Sequence, residues 1–273
     1  MKTGMFLSHI FTLLECDQKE NFARILQRFA SEGLAYVDCS SKEFRNRDAA
    51  ELKKQLNDCG VQISSIYHSA LCDVLVNQGA SRMADDIKSQ LDNCALTGSK
   101  LFMPVPKVQC NASPEECRKF ILEYLNQATE LAEQYGIQTV IENYSQPIST
   151  CATIADIDFY LSQIPQLGYA LDTGNYWFND LDSLDACKLF LPRIAHVHLK
   201  DIQPMTTDAA RTLLGKRFDC VSPGSGVIHI AEILYVLTSF GYDGVFSLEV
   251  YTKNDLQKKL MQSMKYLQNR ICG

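Results

Sequence analysis

The chain is an alternation. Short apolar runs at Gly4–Ser8, Ala35–Cys39, Gln62–Tyr67, Lys100–Val105, Thr139–Asn143, Tyr169–Asp172, Ile194–Leu199 and Val245–Val250 are separated by stretches of helical periodicity near residues 19–31, 48–59, 80–95, 115–135, 154–163, 181–190, 228–239 and 255–270. The runs are often apolar at consecutive positions, the pattern of strands covered on both faces. Eight strand–helix units in 273 residues average about 34 residues each, which is the arithmetic of an α/β chain closed into a (β/α)8 TIM barrel. A doubly wound open sheet would have fewer units and a Gly-rich first turn. Here the first strand runs into His9-Ile10-Phe11-Thr12, and no G-x-G-x-x-G occurs. No linker or composition shift divides the sequence, so residues 1–273 read as a single barrel domain.

Several boundaries carry their own warrant. Ser113-Pro114-Glu115-Glu116 is an N-cap, a proline at the first helical position and a glutamate at the third. Gly60 and Gly136 follow helical patterns and precede strands, where a left-handed C-cap costs least. The longest irregular stretch is Gln203–Gly226, between the seventh strand and its helix; loops of that length are usually functional lids or disordered excursions.

Composition narrows the function classes. Apolar residues make up 46% of the chain and charged residues 21%, which excludes disorder and fibrous structure. A net charge of −6 gives no help to a nucleic-acid backbone partner, and none is expected. The eleven cysteines are scattered without a Cys-x-x-Cys, so they read as thiols in a reducing cytoplasm rather than zinc ligands or disulfides. The apolar N-terminal run resembles a weak signal peptide, but Glu15 precedes Cys16 and no Ala-x-Ala follows. It reads as a first buried strand. No window holds 18 apolar residues, so no membrane span is expected.

In a barrel of this kind chemistry collects at the C-terminal ends of the strands. Four strands in turn place Glu142, Asp172, the pair His196 and His198, and Glu249 at that rim. Buried carboxylates are costly unless paired, and one divalent cation offsets that cost for several at once. Glu142, Asp172, His198 and Glu249 offer three oxygens and one nitrogen, a set suited to Mn2+, Co2+ or Mg2+, with Zn2+ admissible. A salt-bridge layer with Lys200 is the structural alternative. His196 and His198 lie two apart on a strand and share a face, so one could ligate and the other orient a ligand or touch substrate. His68, Asn175, Trp177, Lys200, Arg211 and Arg217 are candidate substrate contacts, the arginines and Lys200 for substrate oxygens or a phosphate.

Ile141-Glu142-Asn143, Leu171-Asp172-Thr173-Gly174, His196-Val197-His198-Leu199-Lys200-Asp201, Pro223-Gly224-Ser225-Gly226 and Ser247-Leu248-Glu249 resemble motifs of the xylose isomerase-like TIM barrel superfamily. That group holds sugar isomerases, ketose epimerases, inosose dehydratases and DNA-repair endonucleases. The resemblance implies that Glu142, Asp172, His198 and Glu249 bind one divalent cation, that Glu142 and Glu249 form the acid/base pair, and that His68 belongs to the pocket. The sequence departs from the family in having Asn175 where a histidine is common. With Pro104 on the fourth strand, Asp219-Cys220-Val221 in place of an Asp-x-His, and five histidines in all, it lacks the three-metal cluster of the endonucleases.

The resulting expectation is a cytoplasmic, metal-dependent isomerase or epimerase acting on a sugar or sugar-like polyol, phosphorylated or not, through an ene-diolate or a hydride shift. An inosose-dehydratase-like lyase is the alternative, since it shares the first proton abstraction. A non-catalytic carbohydrate-binding barrel is a third reading. A homo-oligomer is compatible with the sequence.

Overall fold

The computed structural model describes residues 2–16, 19–45, 47–109, 111–146, 149–205, 210–211, 215–252 and 255–271, with backbone alone at 210, 211 and 271. Eight parallel strands close on themselves: β1 (Lys2–Phe6), β2 (Tyr36–Ser40), β3 (Gln62–Leu71), β4 (Leu101–Lys107), β5 (Gln138–Glu142), β6 (Gly168–Asp172), β7 (Ile194–Leu199) and β11 (Val245–Leu248), the last pairing with both β7 and β1. Helices cover the outside, and this is a single-domain (β/α)8 barrel as the spacing predicted. Among the described residues no helix is long and apolar enough to cross a membrane.

Local sequence explains the helices. α6 (Pro114–Gln134) starts at the expected Ser113 capping box with Glu116, and it buries Ile121, Tyr124, Leu125, Ala128 and Ala132 at helical spacing. Gly136 takes φ 64° and Gly60 φ 75°, the left-handed turns expected of them.

Three segments differ from the sequence reading. The first strand stops at Phe6, and Leu7–Cys16 forms helix α1, which buries Leu7, His9 and Ile10. An unbroken apolar run does not mark where a strand yields to a helix. Cys72–Asn77 forms a short helix, α4, directly after β3. The stretch expected to be irregular carries an antiparallel sheet of β8 (Asp201–Pro204), β10 (Arg217–Val221) and β9 (Ala210–Arg211), in that spatial order. Its strands are too short to show an alternating pattern.

The sheet is tied down by Asp201, which is fully buried. Its carboxylate accepts the backbone N–H groups of Gly224 and Gly226 at 2.8 Å each and of Ile228 at 3.1 Å. Gly226 lies against it so closely that a Cβ there would sit 2.3 Å from Asp201 Oδ1 and 2.4 Å from the Ile202 carbonyl oxygen. Gly226→Ala is therefore expected to destabilise the protein by about 1–3 kcal/mol through forced displacement. Thermal denaturation checks this, and a Tm equal to that of the parent protein would contradict it.

Candidate metal centre and active site

Adjacent strands deliver the four expected donors to one place. Glu142 and Asp172 end β5 and β6, His198 lies in β7, and Glu249 follows β11. The parallel register sets Asp172 opposite His198, and the Glu249 N–H donates to the Leu199 carbonyl at 3.0 Å, extending the ladder past the strand end. One donor atom from each of Glu142, Asp172, His198 and Glu249 lies within 4.8 Å of all the others. Glu142, His198, Lys200 and Glu249 line a cavity of about 520 Å³.

Lys200 joins this set. Its buried ammonium lies 2.8 Å from Asp172 Oδ2, 2.5 Å from Glu249 Oε1 and 2.9 Å from Asn175 Oδ1. Burial works against its charge, but Asp172 and Glu249 prevail and hold it well above the usual lysine range. Asp172 is pulled both ways. Burial raises its carboxyl to about 7 against the attraction of Lys200, and the charge of Glu249 adds to the rise. The other Asp172 oxygen accepts the N–H groups of Gly174 and Asn175, both at 2.8 Å. Asn143 secures the loop from beneath, accepting from Asp172 N at 2.9 Å and donating to the Asp172 carbonyl at 3.0 Å.

His198 is held among three carboxylates. Its Nδ1 lies 2.6 Å from Glu142 Oε1 and 3.6 Å from Glu249 Oε2, while Nε2 faces Asp38 Oδ2 at 3.6 Å. Asp38, on β2, is fully buried; it accepts the hydroxyls of Ser64 and Ser65 at 2.6 Å each and lies 3.1 Å from His196 Nε2. Burial alone would raise its carboxyl, but His196 and His198 outweigh that and hold it well below the usual carboxylate range. His196 is thus a partner of Asp38, not a residue of the cavity wall.

The donor set suits a divalent cation. Three carboxylates face a single ammonium in a buried site, an excess of negative charge that is expensive to desolvate. Glu249 Oε2 is buried with no hydrogen-bond partner.

The other expected contacts separate. Asn175 lines the cavity. His68 is bonded to Ser41 Oγ at 2.8 Å and to Asp86 Oδ2 at 3.2 Å, and it is not among the lining residues. Trp177 packs on Phe178 and Phe218 with the Lys216 ammonium over its ring, beside the cavity wall formed by Phe178 and Phe218. Arg217 sits on β10 outside the lining. The Arg211 side chain lies outside the described residues. Sequence reasoning missed Asp38, although it is the one carboxylate in the first four predicted strands. It also missed Lys42 and Lys107, which line the cavity mouth and carry no strand-pattern signal.

The xylose isomerase-like TIM barrel family matches residues 26–270, and the chain belongs to that family. It is an enzyme. It is 27% identical over 260 residues to an inosose dehydratase of Klebsiella pneumoniae, covering 86% of this chain and 84% of the relative. In structure it is similar to the probable 3-DHS dehydratase AsbF of Bacillus anthracis (TM-score 0.77, 19% identity, 99% of this chain and 100% of the other). It is also similar to the IOLI protein with a binding zinc atom (TM-score 0.72, 17% identity, 99% and 98%). These relatives overturn the expected isomerase or epimerase activity: the sequence relatives are named as dehydratases. The misreading has a chemical cause, because proton abstraction beside a carbonyl opens both reactions.

Next to this centre, His9 of α1 is buried against Phe6 and Tyr251 with both ring nitrogens unpartnered. Burial lowers its pKa to about 4, against a smaller opposing pull from Asp38. A depressed histidine favours the folded state above its unfolded value near 6.5, and that contribution is lost as pH falls through the folded value. The unfolding free energy should therefore drop by about 3 kcal/mol between pH 7 and 4 relative to His9→Phe. Denaturant titrations across that range check it; parallel pH profiles for the two proteins would contradict it.

Proposed function

We propose that this protein is a divalent-metal-dependent dehydratase that removes water from a cyclic keto-polyol of the inosose type. The observation that carries the reading is the convergence of Glu142, Asp172, His198 and Glu249 beside the buried ammonium of Lys200. The dehydratase relatives support it. The cation would be held by those four side chains, with Mn2+, Co2+, Mg2+ and Zn2+ all compatible with three carboxylates and one imidazole. The nine described cysteines are all unpaired, which supports a reducing, cytoplasmic location.

When bound, the cation supplies Lewis acidity to the ring carbonyl oxygen and so acidifies the neighbouring C–H. Glu142 faces the cavity and accepts that proton. The electrons of the broken C–H bond form a ring C=C as the C–O bond to the β-hydroxyl breaks. The proton taken up at Glu142 leaves with the hydroxyl as water, while Lys200, whose charge is held by Asp172 and Glu249, keeps its proton and donates a hydrogen bond to the departing oxygen. Glu249 keeps the Lys200 ammonium beside the departing oxygen. Asp38, fixed by Ser64, Ser65 and His196, holds the His198 ring with Nδ1 toward Glu142 and Glu249.

Two measurements test this. Mn2+-loaded protein incubated with an inosose should generate an ultraviolet-absorbing enone or dione, and Glu142→Gln should lower kcat by roughly 10²–10⁴. No such product from any inosose, with or without an anionic substituent, would refute the reaction. Asp38→Asn should weaken Mn2+ binding by about 10–100-fold in calorimetry while leaving the protein folded. Unchanged affinity would remove Asp38 from its role.

A further inference from the structure

The cavity has two electrically distinct sides. The candidate metal donors come from β5, β6, β7 and the end of β11. Across from them, the C-terminal ends of β2, β3 and β4 supply Lys42, Ser69 and Lys107 to the same wall. Lys42 lies in the short 3-10 helix Ser41–Phe44 that follows β2 directly, and Lys107 is the last residue of β4. Ser69 lies between them on β3, which pairs with both neighbours: Ser40 is opposite Tyr67, and Lys107 is opposite Leu71.

We infer that this side binds an oxyanion, a carboxylate or a phosphate, carried by the substrate ring. The cavity lining holds three lysines (Lys42, Lys107 and Lys200) against two glutamates (Glu142 and Glu249), in a chain whose net charge is −6. A divalent cation at the donor set makes that imbalance larger. Lys200 is neutralised by Asp172 and Glu249. Among the described residues, neither Lys42 nor Lys107 has a carboxylate within ion-pair distance, unlike Lys200 on the opposite side of the cavity. Two lysines lining one side with no ion-pair partner among the described residues, and a serine on the strand between them, give a neutral polyol little that water does not. For an anion they provide charge-assisted hydrogen bonds and draw it in from solution. A ring bound across the cavity would then present its carbonyl and hydroxyl to the donor set and its anionic substituent to Lys42 and Lys107. The cavity, at about 520 Å³, is in the range of small-molecule sites.

This inference rests on the cavity being the substrate site of the proposed dehydratase, and its test reads binding, so it stands apart from turnover. The probes are myo-inositol, a neutral ring, quinate, a ring polyol carboxylate, and myo-inositol 1-phosphate, each titrated calorimetrically into Mn2+-loaded protein at low salt. At least one anionic ring should bind ten-fold or more tightly than myo-inositol, and the tighter of the two tells carboxylate from phosphate. The double variant K42M/K107M alters only exposed side chains, and it should bring the anionic ring down to the affinity of the neutral one. A preference for the anion that the double variant abolishes would uphold the anion site whether or not the protein dehydrates a neutral inosose, so this inference and the proposed reaction fail separately. Equal affinity for all three rings, undetectable binding of all included, would overturn the inference. So would an anion preference that survives the double variant.

Discussion

The buried ammonium of Lys200 is the interaction on which the rim of this barrel depends. Asp172 and Glu249 are almost wholly removed from water, and each would carry an uncompensated charge without it. Breaking such a pair by removing one partner costs several kcal/mol, because the survivor is left buried and alone. The chain bends to keep the lysine in place. Thr173 Oγ1 donates to the Lys200 carbonyl at 2.8 Å and accepts the Lys200 N–H at 2.9 Å, joining the exits of β6 and β7. Gly174 has to lack a side chain, since a Cβ would meet Lys200 Cγ at 2.6 Å. One residue further on, Asp201 gathers the Pro223–Gly226 turn and supports the small sheet that closes the cavity wall with Phe218 and Cys220.

In the proposed reaction the same ammonium gives the site its chemical direction. Metal-assisted proton abstraction needs only carboxylates and a cation, and it begins isomerisation, epimerisation and dehydration alike. Expelling the hydroxyl needs charge stabilisation at the departing oxygen besides. In the proposed reaction Lys200, held charged between the two carboxylates at the ends of β6 and β11, supplies it as a hydrogen-bond donor. His198 completes the opposite side, with Asp38 behind it and Glu142 in front.

Much of this was legible in the sequence. Carboxylates at the ends of apolar runs are rare enough that Glu142, Asp172 and Glu249 announced themselves, and the eight-fold spacing placed them on one rim. Other features were hidden for physical reasons. Helix α1 follows β1 without a polar break, so the apolar run concealed the change of period. The sheet of β8, β9 and β10 rests on side-chain anchoring by Asp201 rather than on any alternation in its own residues. His68 looked like a pocket residue by position, yet Ser41 and Asp86 occupy its ring nitrogens. Lys42 and Lys107 belong to the site only because a loop and a strand end turn to the same opening, and a linear pattern does not record that. Reaction type was beyond the motif because the same proton abstraction opens isomerisation, epimerisation and dehydration.

The central claim is that one divalent cation belongs among Glu142, Asp172, His198 and Glu249, beside Lys200. Anomalous diffraction from crystals soaked in Mn2+ tests it most directly. The account predicts a single strong peak bonded to all four side chains, with the Lys200 ammonium still within hydrogen-bond distance of Asn175 Oδ1. No peak at that position, or one held by Asp38 and His196 instead, would contradict it.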